Sequence, residues 1–124
     1  MTVRRLAALQ WVGLLGGAAV WAAQHAIGFG VTQAECGASG RHWGIDNTAW
    51  QATTTAVSGA LILVALAAAV TVFIRTRGAG YEDSPPEGRI RFFAITAMPV
   101  DLILLVIVLL DGTASMIDTL CRQG

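Results

Sequence analysis

The sequence predicts an all-α membrane protein with three transmembrane helices. Its composition is the first reason: 55% of the 124 residues are hydrophobic and 13% are charged, far from the usual balance of a soluble domain. The second is that the apolar residues come in blocks. No Asp, Glu, Lys or Arg occurs from Leu6 to Ala34 or from Asn47 to Ile74, and Asp101 alone interrupts Phe92 to Leu110. Crossing a hydrocarbon layer roughly 30 Å thick takes about 20 helical residues, and each block is long enough. The spans fall at about residues 6–31, 49–74 and 91–110 of a single domain covering 1–124.

The basic residues give the orientation. With the N-terminus inside, the cytoplasmic segments hold Arg4, Arg5, Arg75, Arg77, Arg89 and Arg91, and the outer ones only Arg41 and Arg122. Lys and Arg near helix ends stay on the cytoplasmic side. The expected topology therefore has the N-terminus in the cytoplasm and the C-terminus outside. The first block could be read as a secretory signal, but it is longer than an ordinary signal core, so it is expected to be retained as a span.

On the first span, Gly13, Gly17, Val20 and Gln24 share one stripe at 100° per residue. In lipid, helices associate through small residues that allow close approach and through polar side chains that find partners. The stripe is thus a candidate packing or partner-contact face. His25 points elsewhere, beside Ala18, Trp21 and Ala22, and is expected to be a hydrogen-bonded outer-leaflet histidine. A haem ligand would need a second histidine at matching depth, and His42 lies in the outer loop.

The outer loop, "QAECGASGRHWGIDNTAW", suits an interface with Trp43 and Trp50 at headgroup depth. Asp46, Asn47 or Thr48 is expected to cap the second helix. On that helix Trp50, Thr54, Ser58, Leu61, Ala65, Ala68 and Val72 are expected to form the packing face. The inner loop, "RTRGAGYEDSPPEGRIR", is a polar turn. After Leu110, an Asp-Gly pair is expected to stop the third helix, leaving Ser115 to Cys121 as a short surface helix.

Asp101 sits near the middle of the third span, where an ionised carboxylate costs about 2.5–3.5 kcal/mol. It must face protein or water. Ala94, Ala97, Met98 and Leu105 share its face, and Pro99 frees a carbonyl one turn earlier. Two readings stay open. Asp101 is a neutral acid that donates to a backbone carbonyl, to Thr96 or to a neighbour's polar group, or it meets a cation or proton path supplied by another polypeptide.

Cys36 and Cys121 both fall on the outer, oxidising side in this topology, so a disulfide between outer loop and tail is permitted. Two unpaired thiols are the alternative. A zinc site usually needs four closely spaced ligands, and no catalytic set, phosphate loop or CxxC pair occurs. No cofactor and no metal are expected. With eight basic and eight acidic residues, nothing suggests nucleic acid as a partner.

The segment "VGLLGGAAVWAAQHAIGFGVTQAEC", followed by a polar loop, two more spans and a terminal "DTLC", resembles a family of small three-helix proteins often encoded beside bacterial haem-copper cytochrome c oxidase genes. Gly16, Gly17, Trp21, Cys36 and Cys121 are the matching positions. The resemblance implies a multi-pass protein of the bacterial inner membrane. Its role would be that of an accessory or assembly subunit of a respiratory complex, without a catalytic centre, whose partners are lipid and other integral subunits. The basic residues are all Arg, a composition that a GC-rich bacterial genome would encode. The alternative from another class is a homo-oligomeric proton or ion pathway built around Asp101.

Overall fold

The computed structural model describes residues 2–37, 43–80 and 82–117. They form three helices in an up-down-up bundle: α1 (Val3–Cys36), α2 (Asn47–Arg75) and α3 (Glu87–Ile117). All three are long and apolar enough to cross a membrane. Each packs against the other two. Among the described residues there is no strand.

The first and third helices outrun their apolar blocks at both ends, and α2 outruns its block by one residue at the C-terminal end. At 1.5 Å per residue, the 34 residues of α1 extend about 50 Å, well beyond the hydrocarbon layer. Gly37, with φ 55°, ends α1 in the left-handed region, where a residue without a Cβ is at no steric disadvantage. Asp46 caps α2, its side chain accepting from the Ala49 amide at 3.1 Å. That bond satisfies one of the donors that a helix start leaves open.

At its other end α2 is closed by its neighbour. The Arg91 guanidinium donates to the Thr76 carbonyl at 2.7 Å and lies 4.8 Å from the centre of the Phe73 ring. A cation beside the last carbonyls of a helix is favoured by the helix dipole. It also ties the start of α3 to the end of α2.

The third helix does not stop at Asp111–Gly112. It continues through both residues to Ile117, because Gly112 faces inward. It is buried, and a Cβ placed there would overlap the Thr55 hydroxyl. This glycine serves a close helix crossing, not a helix end. The short surface helix expected over Ser115–Cys121 is thus in part the last turn of α3, and residues 118–121 lie outside the described residues, as do Arg41, His42 and Arg122.

Small residues set the other crossings. A Cβ on Gly13 would lie 3.0 Å from the Ala69 amide nitrogen, and one on Gly16 would lie 3.1 Å from the Ala65 Cβ. The interior between α2 and α3 is filled by Ile62, Val72, Ile90 and Val108, with Ala65, Ala69, Ala94 and Ala97 between them. Outward, every helix shows large apolar side chains, among them Leu15, Phe29, Val64, Ile103 and Leu110.

The buried face of α2 is rotated from the one expected. Ser58, Ala65, Ala68 and Val72 do face inward, but Trp50 and Leu61 are exposed. Asn47, Gln51, Thr55, Ile62 and Ala69 take their places. The packed seam repeats at four and three residues, the spacing that keeps a helix facing two neighbours over many turns.

Two glycine substitutions separate close packing from helix propensity. Gly13→Ala is expected to lower stability by about 1–3 kcal/mol, since the Ala69 backbone cannot yield as a flexible side chain would. Gly30→Ala meets nothing within 4 Å and is expected to leave stability unchanged or raise it by about 0.5–1 kcal/mol. Reversible unfolding in mixed detergent micelles measures both.

Candidate functional site: the polar interior

The interior of the bundle carries polar groups along most of its length. Gln10, Gln24, Asn47, Gln51, Thr55, Ser58 and Asp101 are each buried. In hydrocarbon such groups must find partners inside the protein. Five of them fall into two sets with different fates.

The first set lies toward the end where α1 and α3 finish and makes hydrogen bonds between helices, with Gln24 Oε1 left unpartnered among the described residues. The Gln24 amide nitrogen donates to the Thr55 hydroxyl and to the Val108 carbonyl, both at 3.4 Å. One α1 side chain thus touches α2 and α3 together. Gln51 donates to the Gly28 carbonyl and to the Asn47 side chain, again at 3.4 Å each. Asn47 donates in turn to the Ser115 carbonyl at 3.5 Å. Gly28 admits Gln51, whose Oε1 would lie 3.3 Å from a Cβ there. The bonds are long, and the gain comes from their number and from the absence of competing water.

The second set is Asp101. It is 0% exposed, and neither carboxyl oxygen has a hydrogen-bond partner among the described residues. The space it enters is the one Gly17 leaves open: a Cβ on Gly17 would collide with Asp101 Oδ1 and lie 3.2 Å from a Leu104 methyl carbon. Thr96, an expected partner, bonds the Phe92 carbonyl on the exposed side of α3. Pro99 lies within the helix, two residues before Asp101, and leaves the Ile95 carbonyl without its usual donor.

Of the residues singled out in the sequence, Gly13, Gly17, Gln24 and Asp101 are buried within this chain's own bundle. Copies packed side by side with this geometry would keep Asp101 away from their shared surface. His25 stands apart. Its imidazole is largely exposed, stacked on Trp21 with ring centres 5.9 Å apart, and Nδ1 lies 3.6 Å from Asp111 Oδ2. With the imidazole protonated, this is an ion pair joining α1 to α3.

The Gln24–Thr55–Gln51–Asn47 ladder was not recognised in the sequence. Its signal was present in α2, where Asn47, Gln51, Thr55 and Ser58 recur at the seam spacing. A face drawn through Trp50 lies one position away from it. The His25–Asp111 pair is hidden in the sequence because an Asp-Gly dipeptide reads as a helix stop.

Among the described residues no group of three or more His, Cys, Asp or Glu could hold a metal ion. A shallow groove of about 220 Å³ runs between α1 and α2, lined by Val20, Ile27, Val57 and Leu61 with Gln24 and Ser58 at its floor. It is apolar and lies on the exposed side of the bundle.

The ladder is open to a double-mutant cycle. Gln24→Leu and Thr55→Val are each expected to destabilise the bundle, with a coupling of about 0.6 kcal/mol and at most about 1.7 kcal/mol. A coupling of zero would mean that the two side chains do not bond across the helices.

No protein-family model, no curated protein and no solved structure matches the chain.

Proposed function

We propose that the chain is a non-catalytic accessory or assembly subunit of a bacterial respiratory membrane complex, and that its partner is a haem-copper cytochrome c oxidase or its supercomplex. The observation that carries the reading is the division between inside and outside. The glycines and polar side chains are used within the chain's own bundle, while all three helices turn large apolar side chains outward. Such a molecule contributes surface and shape to an assembly, and a reacting group is left to another subunit. The oxidase as partner rests on the sequence resemblance.

In this reading the protein is a multi-pass component of the inner membrane with its N-terminus in the cytoplasm, as the arginine distribution favours. Docking then belongs to the outward faces. On the α1–α3 side these carry Trp11 and Phe93, with ring centres 6.2 Å apart, next to Phe92. Aromatic side chains supply large contact areas for a neighbouring helix.

The reading includes a disulfide between Cys36 and Cys121. Cys36 is the last residue of α1, and α3 runs to Ile117 at the same end of the bundle. The Asn47–Ser115 bond and the His25–Asp111 pair hold these ends together. In the proposed orientation that end faces the oxidising compartment.

Native purification in mild detergent tests the proposal. Oxidase subunits are expected to co-purify in fixed ratio, with haem absorbance in the complex and partners identified by mass spectrometry. Recovery of this chain alone, or only with copies of itself, while the oxidase stays complete would overturn it.

A further inference from the structure

We propose that Asp101 is a proton-binding site set into the seam between α1 and α3. The seam closes on the neutral acid and loosens when the proton leaves. This goes beyond a subunit that contributes only surface, because it makes the packing of α1 depend on one proton held deep in the bundle.

The argument begins with what surrounds the carboxyl. It is fully enclosed, and no donor reaches either oxygen among the described residues. The buried residues of α1 are Gln10, Gly13, Gly17 and Gln24, and those of α2 run from Asn47 to Val72 with no titratable or charged side chain among them. On α3 itself the other buried residues are Gly88, Ile90, Ala94, Ala97, Val108 and Gly112. Asp111, ten residues further along α3, is about 15 Å away along the axis, on the exposed surface with His25.

An ionised carboxylate in this place would have neither counter-charge nor hydrogen bonds, and a buried charge in that condition costs several kcal/mol. Binding one proton removes the charge. A metal cation would not serve, because hard cations gather about six oxygens and the space here is bounded by Gly17 and the Leu104 methyl. The small group at position 17 is what lets α1 come down onto the acid. The step is the dissociation of one proton from the carboxyl to water, leaving a carboxylate, with nothing oxidised or reduced. The carboxylate then needs hydration, which it gains only if α1 moves away from α3.

The test uses the full chain in lipid bilayers. Infrared spectroscopy reads the carbonyl stretch of a neutral carboxylic acid, and spin labels placed by encoded reactive residues at exposed Ala18 and Ile103 read the distance between α1 and α3. The neutral-acid band is expected at neutral pH and absent in Asp101→Asn. Raising the pH should convert the band to carboxylate and lengthen the distance over the same pH range, while Asp101→Asn keeps the short distance throughout. Gly17→Ala should lengthen it at neutral pH without titration. A carboxylate band at neutral pH with a short distance would overturn the proposal. So would a band that titrates while the distance stays fixed, or equal lengthening in Asp101→Asn. If Asp101→Asn does not fold, the infrared and distance titrations of the chain with Asp101 in place decide alone.

Discussion

The approach of α1 to α3 at Gly17 and Asp101 is the constraint on which the bundle depends. Within a bilayer, apolar side chains gain little by leaving lipid for protein. A fold made of helices this apolar must therefore be held by close backbone approach and by polar groups that lipid cannot satisfy. Gly17 removes the side chain that would keep α1 away, and Asp101 fills the opening. The same logic recurs at Gly13 against Ala69, at Gly28 against Gln51 and at Gly112 against Thr55. Four glycines on two helices thus fix the register of all three.

The two polar sets divide the work along the axis. Toward the end shared by the α1 and α3 C-termini, Gln24 bonds Thr55 and the Val108 carbonyl, Gln51 the Gly28 carbonyl and Asn47 the Ser115 carbonyl across the helices, and His25 and Asp111 approach each other at the surface. At the opposite end, Arg91 closes α2 through backbone carbonyls. Between them lies Asp101, buried and without a hydrogen bond among the described residues. The ends are fastened and the middle holds a group whose comfort depends on its charge, so the middle is where the packing can respond to its surroundings.

Most of the architecture was legible in the sequence because a membrane imposes a coarse code: long uncharged runs are helices that can span. The Gly13–Gly17–Gln24 stripe could be read from spacing alone, and all three of those residues are buried. The α2 face was harder. Trp50 and Leu61 look like packing residues, yet in lipid a large apolar side chain has no reason to prefer the interior, and both are exposed. The residues one position along, Gln51, Thr55 and Ile62, are what the interior selects. Gly112 is hard to read for a related reason: next to Asp111 it resembles a helix stop, and only its tertiary contact with Thr55 reveals its use.

The most direct check of this account is a through-space carbon–carbon correlation between Gly17 Cα and Asp101 Cγ. It would be measured by solid-state NMR in bilayers, with labelled chains diluted among unlabelled ones. The account expects the correlation to persist at full strength on dilution, because the contact lies within one chain. Its loss on dilution would place Asp101 against another copy. Its absence at any dilution would turn the carboxyl away from α1, and the seam around which the bundle is organised would not exist.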